Sequence, residues 1–376
     1  MAGIYLHIPF CKQACHYCDF HFSTNTSRKG DMVKAIIQEL IIRRNELDNE
    51  PIQTIYFGGG TPSLLSGSEL SEILRTIKTE FEVAFNPEIT LEGNPDDLSH
   101  SKLLEIKSAG INRLSIGIQT FDNTRLKYIN RAHTSDEAES CLVNAREAGF
   151  DNISADLIYA IPPESMDYWQ SDLRKLLSFD LEHISLYGLT IEEKTAFGNW
   201  RKKGKLQEVP EETSARQYEL AITELKAARY EHYEVSNFAK SGYYSRHNTG
   251  YWEDQKYLGV GPGAHSYDGT NRSFNISNNA RYLESIKNDE LALTTETLEP
   301  NDRLNDYIFT HLRTSKGINF GELKERHGVN LKQDYKYLFD PWLAEELIEL
   351  DENVLKLTSK GFMIADEITW RLFYHD

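Results

Sequence analysis

The alternation of short β-rich runs with longer amphipathic stretches in the first half of the chain constrains the fold most. Runs typical of strands lie at residues 4–8, 54–57, 88–92, 113–118, 152–158 and 183–189. Stretches with apolar residues at helical spacing lie between them, at residues 32–47, 68–81, 101–109, 135–148 and 166–177. Because strands separated by such helices pair in parallel through crossover connections, we predict an α/β fold. Six units favour an open or partial (β/α)6 barrel of the TIM type, with a doubly wound sheet as the alternative.

Glycine and polar residues follow the ends of these predicted strands. The second strand runs into a triple glycine at residues 58–60, the third ends at Glu92, the fourth at Gln119, and the fifth contains Asp156. In β/α barrels the C-terminal strand ends carry the functional site, and glycines let the backbone approach a ligand closely. Each feature alone also suits a plain turn or a satisfied core group. Their convergence on one rim of the barrel favours a binding site.

Three cysteines stand close together near the start of the chain. Cys11, Cys15 and Cys18 form C-x-x-x-C-x-x-C. Iron–sulfur clusters are usually held by four cysteines, so three thiolates on a four-iron cluster would leave one iron open to a small molecule. A structural zinc site with a nearby histidine as fourth ligand is the alternative, although the second cysteine pair typical of zinc sites is missing. The remaining cysteine, Cys141, is interpreted as a core residue.

Composition points to an intracellular protein of enzyme size. The chain has 376 residues, four cysteines and a formal net charge of −17, and its length indicates two or more domains. One cysteine cluster does not make a disulfide framework. No apolar run is long enough to span a bilayer, and we expect no signal peptide, so we predict a cytoplasmic location. The acidic charge disfavours general nucleic-acid binding, which needs a basic face.

Six motifs spread through residues 5–162 give these features a family context. They are Y-L-H-I-P-F-C-K-Q-A-C-H-Y-C at 5–18, G-G-G-T-P-S at 58–63, L-E-G-N-P at 91–95, R-L-S-I-G-I-Q-T-F at 113–121, I-N-R-A-H at 129–133 and D-L-I-Y-A-I-P at 156–162. In this order they resemble the radical S-adenosylmethionine (SAM) proteins of the group that contains oxygen-independent coproporphyrinogen III oxidase. The resemblance implies a partial barrel with a [4Fe–4S] cluster on Cys11, Cys15 and Cys18 and with SAM on the open iron.

The same resemblance implies a set of SAM contacts. A sulfonium cation with ribose hydroxyls suits carboxylates, and the SAM carboxylate suits an arginine. The positions carried over are Tyr5, Tyr17, Gly59, Gly60, Thr61, Glu92, Gln119, Arg131 and Asp156.

Two departures separate this sequence from the oxidase type. That type has a further cysteine two positions beyond the last cluster ligand, where this chain has Phe20. It also carries an extension ahead of the cluster motif, whereas Tyr5 stands almost at the start here. Both departures lead us to expect that coproporphyrinogen decarboxylation is not the activity.

A motif in the second half points to haem. Residues 246–252 read R-H-N-T-G-Y-W, and the pattern H-N-x-x-Y-W resembles the haem-binding signature of haem chaperones related to the oxidase. A histidine is a standard haem ligand, two aromatic rings could pack on the macrocycle, and Arg246 offers a charge for a propionate. A turn with two buried aromatics and a capping asparagine is the plainer interpretation, and His265 is a second candidate ligand. The residues expected to form the haem site are His247, Asn248, Tyr251 and Trp252.

These patterns divide the chain into three parts. We expect the radical SAM barrel at residues 1–200, a connecting region with the H-N-x-x-Y-W motif at 201–297, and a small C-terminal α+β region at 298–376 that resembles a winged helix. The stretch 200–207 is interpreted as a connector. A structural role for the winged helix is favoured over DNA binding because the chain is acidic.

Two classes of function remain open from the sequence. In the first, a haem chaperone binds haem and delivers it to recipient haemoproteins, with the cluster and SAM in a structural or regulatory role. In the second, a radical enzyme forms a 5′-deoxyadenosyl radical and acts on a tetrapyrrole. Phe20, the short N-terminus and the H-N-x-x-Y-W motif favour the chaperone. A homodimer is one assembly that the sequence leaves open for the chaperone.

Overall fold

The six predicted strands form the parallel centre of one sheet. The computed structural model describes residues 2–163 and 165–375. Its strands are β1 (Ala2–Ile8), β2 (Ile52–Gly59), β3 (Val83–Gly93), β4 (Arg113–Gln119), β5 (Ile153–Tyr159) and β6 (His183–Gly188). They lie side by side in chain order, and each adjacent pair is parallel. A doubly wound sheet reverses its strand order, so the barrel prediction is confirmed over the alternative.

Helices follow these strands and cover the outside of the sheet. They are α1 (Lys29–Ile42), α2 (Gly67–Glu80), α3 (His100–Ala109), α4 (Asn123–Tyr128), α5 (Ser135–Glu147) and α6 (Met166–Leu177). All but α4, a short helix, were predicted within a few residues. The apolar side chains at helical spacing in α2 are buried as expected. A capping box starts this helix, since Ser66 Oγ accepts from the Glu69 N–H and Glu69 Oε2 accepts from the Ser66 N–H.

The region 201–297 adds strands to both edges of the sheet, which differs from the connecting region that the sequence suggested. Its strands are β7 (Glu231–Glu234), β8 (Asn237–Ala239), β9 (Lys256–Val260), β10 (His265–Tyr267), β11 (Asn271–Asn275) and β12 (Leu293–Thr297). The strand β9 pairs in parallel with β1, and β8 pairs antiparallel with β6. These strands have three to five residues each, too few to show a clear alternation in the sequence. Helix α7 (Ala196–Lys202) spans the start of this region. The helices within it are α8 (Glu211–Ala227), α9 (Arg246–Trp252) and α10 (Asn279–Lys287).

The C-terminal region is the predicted small α+β unit. Its helices are α11 (Pro300–Leu312), α12 (Phe320–His327), α13 (Leu331–Asp334), α14 (Lys336–Ala344), α15 (Ser359–Phe362) and α16 (Ala365–Arg371). Its strands β13 (Ile318–Asn319), β14 (Ile348–Leu350) and β15 (Val354–Leu357) form an antiparallel sheet with β15 in the middle. The order of α11, β13, the helices α12 to α14 and the hairpin of β14 and β15 is that of a winged helix, and α15 and α16 follow it. One apolar core runs from the barrel into this unit.

The described residues contain no helix with both the length and the apolar character needed to cross a membrane.

Candidate cofactor and ligand cavities

The cysteines lie in an irregular segment between β1 and α1 that neighbouring elements hold in place. The His16 backbone N–H donates to the Ile129 carbonyl at 3.1 Å, and the His16 ring is hydrogen-bonded to the Tyr128 carbonyl at 2.8 Å. The Phe197 N–H donates to the His16 carbonyl at 2.9 Å, and the Trp200 ring packs 4.8 Å from the His16 ring. Helix α7 therefore supports the cysteine segment, so the stretch beginning at Trp200 does more than the connector interpretation implied.

The three cysteine thiols face one cavity of about 440 Å³ at the C-terminal ends of the barrel strands. Burial and the neighbouring Cys15 and Cys11 raise the pKa of the Cys18 thiol to about 11, although the Phe20 N–H opposes this shift. Among the described residues, no three His, Cys, Asp or Glu side chains converge closely enough to hold a single metal ion. Three cysteines on one cavity fit a cluster in which each thiolate binds a different iron.

The same cavity gathers nearly all of the polar strand-end residues singled out in the sequence. Its lining includes Tyr17, Gly59, Gly60, Thr61, Glu92, Gln119, Arg131 and Asp156. Tyr5 differs from the expectation, because its ring packs behind Gly58 and lines another cavity. Parallel strands in chain order bring their C-terminal ends to one rim, which explains why these residues meet.

Glycine is required where β2 meets the cysteine segment. The Gly60 N–H donates to the Ile8 carbonyl at 2.9 Å, and a Cβ at Gly60 would lie 2.6 Å from the Phe10 carbonyl oxygen. Gly59 has φ +104°, and a Cβ there would lie 2.6 Å from the His7 ring. Larger residues would therefore push the cysteine segment away from the strand ends.

Two carboxylates in the cavity wall have unusual acidity. Burial raises the pKa of Glu92 to about 7, the hydrogen bond from the Tyr56 hydroxyl at 2.8 Å opposes this shift, and the Asp156 charge adds to it. Burial also raises the pKa of Asp156 to about 6, against hydrogen bonds from serine side chains. A cation entering the cavity would favour the ionised forms.

A guanidinium faces the cysteines from the other side. Arg131 Nη2 donates to Asn94 Oδ1 at 2.6 Å and to the Gly117 carbonyl at 2.7 Å, while Nη1 lies 3.6 Å from Cys15 Sγ. Its buried Nε has no hydrogen-bond partner in the described residues. Buried donors are normally satisfied, so the free Nε fits an anionic group such as a ligand carboxylate.

A second and larger cavity of about 1000 Å³ lies beside the first. Its walls come from the cysteine segment, from the corner of α9 and β9, from β10 and β11, and from α11. Asp19 and Phe20 line both cavities, and the Phe20 side chain is 68% exposed. The two cavities therefore meet at the position where the oxidase type has a further cysteine.

The H-N-x-x-Y-W motif forms α9, whose start is fixed from two sides. The Ser245 side chain caps the helix by accepting from the Asn248 N–H, and the Glu88 carboxylate accepts from the N–H groups of Arg246 and His247 at 3.1 Å each. Carboxylates are favourable at this end of a helix because its N–H groups and dipole are positive there.

The motif residues divide between the cavity and the interior. Tyr251 and Trp252 line the larger cavity. His247 is only 4% exposed, with Nδ1 hydrogen-bonded to Thr54 Oγ1 at 2.8 Å and Nε2 to the Tyr251 hydroxyl at 2.9 Å. This placement differs from the expected haem ligand, because both ring nitrogens are occupied and Tyr251 stands between His247 and the cavity. Among the described lining residues of either cavity, Asn248 does not occur.

Arg246 also differs from its expected role. Its guanidinium donates to the Asn86 carbonyl at 3.0 Å and to Gln53 Oε1 at 2.7 Å. These partners lie towards the starts of β2 and β3, away from the cavity.

Sequence reasoning identified some residues of the larger cavity and missed others. His21, three positions beyond Cys18, is one of the histidines near the cysteine motif, and His265 is the second candidate ligand. Arg272 and the residues of α11 carried no signal, because separate parts of the chain bring them to the cavity.

Comparison with known proteins agrees with this architecture. The sequence model of the Radical SAM superfamily matches residues 5–176, and that of the HemN C-terminal domain matches residues 298–364. The structure of coproporphyrinogen III oxidase (HemN) from Escherichia coli superposes with a TM-score of 0.85 at 20% identity, over 99% of this chain and 90% of that one. Fold and cysteine motif together define a radical SAM protein, a class that implies a [4Fe–4S] cluster and SAM.

Curated relatives narrow the class. The protein named "Heme chaperone HemW" from Bacillus subtilis is 34% identical over 98% of both chains, and its Lactococcus lactis counterpart is 33% identical over 99% of this chain and 97% of the other. A mitochondrial "Radical S-adenosyl methionine domain-containing protein 1" from Danio rerio is 33% identical over 97% of this chain and 82% of its own. The chain belongs to the HemW family.

Proposed function

We propose that this protein is a haem chaperone, which binds one haem and passes it to recipient haemoproteins while it holds a [4Fe–4S] cluster and SAM. Relatives named heme chaperones at 34% and 33% identity support this proposal. The structural observation that carries it is the pair of adjoining cavities, one lined by thiols and the other by aromatic and histidine side chains. We further propose that the protein works in the cytoplasm without nucleic acid, with a homodimer as one assembly.

The smaller cavity would hold the cluster and SAM. Cys11, Cys15 and Cys18 would each bind one iron and leave the fourth iron to SAM. A cluster of this type, when bound, supplies electrons to its ligand. The free Nε of Arg131 would meet the SAM carboxylate, because a buried guanidinium nitrogen without a hydrogen-bond partner favours an anion.

The remaining residues of this cavity would fix the rest of SAM. The backbone of Gly59, Gly60 and Thr61 would lie along its amino-acid end, where side chains cannot fit. Glu92 and Asp156 would accept from the ribose hydroxyls and face the sulfonium, because their ionised forms are stabilised by a nearby cation. The side walls would come from Tyr17 and Gln119. Tyr5 would act indirectly, by supporting Gly58 from behind.

The larger cavity would hold the haem. Tyr251 and Trp252 would pack on the macrocycle, and each such aromatic can bury about 150–250 Å². His247 would hold the Tyr251 hydroxyl in place and tie α9 to β2 through Thr54. Within this proposal Asn248 contributes its N–H to the Ser245 cap. The motif therefore forms part of the cavity wall and does not supply the iron ligand.

A radical enzyme acting on a tetrapyrrole is the second candidate. The observation that favours it is that Asp19 and Phe20 line both cavities, which would bring a porphyrin substrate close to SAM. Phe20 argues against the oxidase reaction, because it replaces a thiol with an apolar ring at the junction.

One experiment separates the two candidates. Anaerobically reconstituted protein is loaded with haem, freed of excess, and mixed with apomyoglobin, whose spectrum reports the transfer. In parallel, the protein with SAM and dithionite is given coproporphyrinogen III. We expect about one haem per chain, transfer to apomyoglobin and no consumption of coproporphyrinogen III. Turnover of coproporphyrinogen III without haem binding would overturn the chaperone proposal in favour of the radical enzyme.

A further inference from the structure

The size and walls of the larger cavity suit a tetrapyrrole. Its volume of about 1000 Å³ lies at the upper end of the usual range for ligand pockets, about 300–1,000 Å³. Aromatic rings from three separate parts of the chain line it, namely Phe20, Tyr251, Trp252, Tyr257 and Phe309. Flat apolar walls favour a large planar ligand.

One histidine in this cavity has a free ring. His265 stands on β10, where its exposed ring stacks on Phe274 with centroids 5.5 Å apart. Within the described residues its ring nitrogens make no hydrogen bond. Burial and then the charge of Arg272 lower its pKa, which keeps the imidazole neutral and its lone pair available to a metal.

The other cavity histidines are already engaged. His7 Nε2 is hydrogen-bonded to the His21 carbonyl at 2.8 Å, and its Nδ1 lies 3.2 Å from the Tyr5 hydroxyl. His21 Nε2 is hydrogen-bonded to Asn279 Oδ1 at 2.7 Å. Iron ligation through these nitrogens would break an existing hydrogen bond, and ligation through His21 Nδ1 would use a ring already tied to Asn279. His265 differs because neither of its ring nitrogens has a hydrogen bond in the described residues.

An arginine stands at a suitable distance from His265. Arg272 is the single cation among the described residues that line the cavity, and it donates to Asp306 Oδ2 at 2.5 Å. His265 pairs with Phe274 in the antiparallel β10–β11 ladder, so Arg272 is its diagonal neighbour on the same face, with the two backbone positions about 7–8 Å apart. Both side chains line the cavity, so a ligand bound at His265 lies within reach of the long Arg272 side chain.

The other charged residues of the cavity restrict how an anionic ligand can enter. Asp19, Asp254, Glu296, Asp302 and Asp306 also line it, and Asp306 is the present partner of Arg272. A propionate near the other carboxylates would be repelled, while one that replaces Asp306 at Arg272 would form a charge-assisted pair.

We propose that the cavity between β10, β11, α9 and α11 is the haem site, with His265 as the iron ligand and Arg272 as the partner of one propionate. His247 is then a positioning residue that acts through Tyr251. This assignment rests on the proposed haem-binding function and names its site.

The iron ligand is tested by adding haem to the full-length reconstituted protein and recording electron paramagnetic resonance and magnetic circular dichroism. We expect a histidine signature in the wild type that His265→Ala and His265→Gln lose, with haem affinity weakened about ten-fold or more. Added imidazole should restore the signature in His265→Ala. His247→Phe, which keeps a stacked ring, should retain the signature.

The outcomes distinguish failure of the His265 assignment from failure of the proposed haem-binding function. A histidine signature that persists in both His265 variants overturns the assignment and leaves haem binding intact, and its loss in His247→Phe would move the ligand to His247. A wild type that binds no haem overturns the chaperone proposal as well. Iron and SAM binding of each variant show that it has folded.

The propionate contact is tested with haem dimethyl ester, which lacks the carboxylates. The wild type should bind the ester about ten-fold more weakly than haem, whereas Arg272→Gln should bind both equally. Asp306→Asn should tighten haem binding, because it frees Arg272 from its present partner. Equal discrimination against the ester by wild type and Arg272→Gln would overturn the role of Arg272.

Discussion

At the scale of single residues, Glu92 makes the smaller cavity, where we propose that SAM binds, sensitive to pH. Its folded pKa of about 7 lies above that of an exposed glutamate because of burial. The folded chain therefore keeps a proton that the unfolded chain releases. Stability from this group is fully present below the ordinary pKa and is lost as pH rises towards about 7. SAM, as a cation, should reverse this preference when it binds.

Glu92→Gln tests that coupling. Wild-type affinity for SAM should rise between about pH 6 and about pH 8 as the carboxyl ionises, because the ionised form pairs with the cation. The variant should bind about ten-fold or more weakly at the higher pH and show a flatter profile, since a hydrogen bond to a charged group contributes about 1.5–3 kcal/mol. Equilibrium binding at matched iron content gives the measurement. Identical profiles would remove Glu92 from the SAM site.

Cys15→Ser should prevent cluster assembly. Anaerobic reconstitution of the wild type should give about four irons per chain, and loss of one thiolate of three should leave the cluster unsupported. Iron and sulfide analysis with the visible spectrum checks this. Cys141→Ala is the matched control, because Cys141 is buried in α5. Stoichiometric zinc without iron in the wild type would contradict the cluster.

At the scale of elements, α9 is a short helix whose position depends on its N-terminus. It has seven residues, and helices of this length are not stable alone. The Ser245 cap and the Glu88 carboxylate satisfy its first N–H groups. Tyr251 and Trp252 lie one turn further on, so the cap sets where they face the cavity.

Ser245→Ala should therefore weaken both the helix and haem binding. Loss of an N-cap costs about 0.5–2 kcal/mol of unfolding free energy, measurable by urea denaturation. Ser99→Ala is the control, because Ser99 caps α3 on the outside of the barrel. Its stability loss should be similar while its haem affinity stays at the wild-type value. Equal effects of the two variants on haem affinity would contradict a local role for α9.

At the scale of the whole molecule, the C-terminal unit completes the wall of the larger cavity. Helix α11 supplies Phe309 to this wall, and Arg272 on β11 donates to Asp306 on α11. Haem binding should thus depend on a domain that holds neither the cysteines nor the residues proposed to bind SAM.

Phe309→Ala should weaken haem binding about ten-fold and leave iron content and SAM affinity unchanged, because a phenylalanine side chain contributes about 1.5–3 kcal/mol on burial. Tyr337→Ala is the control, a residue of the same unit whose side chain is 69% exposed. Fluorescence quenching by haem measures both. A loss of SAM binding in Phe309→Ala would show that the two cavities are not independent.

Local patterns explain which parts of the fold the sequence could predict. The strands β1 to β6 follow from short apolar runs, because most of their residues are buried on both faces of the sheet. The helices α1, α2, α3, α5 and α6 follow from apolar residues at helical spacing. The short strands β7 to β12 lack that repetition. Their pairing with the barrel edges depends on contacts between distant parts of the chain, so the region 201–297 was read as a connection.

The sequence by itself determined the cysteine motif, the alternation of strands with helices, and the places of Glu92 and Asp156 in the strands. The tertiary structure decided the order of the parallel strands, which excludes the doubly wound sheet and brings Glu92 and Asp156 to one rim. Only the tertiary structure decided the roles of the histidines. His247 carries the recognisable motif, yet its ring nitrogens are bound to Thr54 and Tyr251. His265 belongs to a plain short strand, yet its ring nitrogens have no hydrogen bond within the described part of the chain, and the ring lines the cavity. Burial and hydrogen bonding with residues far apart in the chain set the availability of a nitrogen lone pair, and a local motif does not encode them.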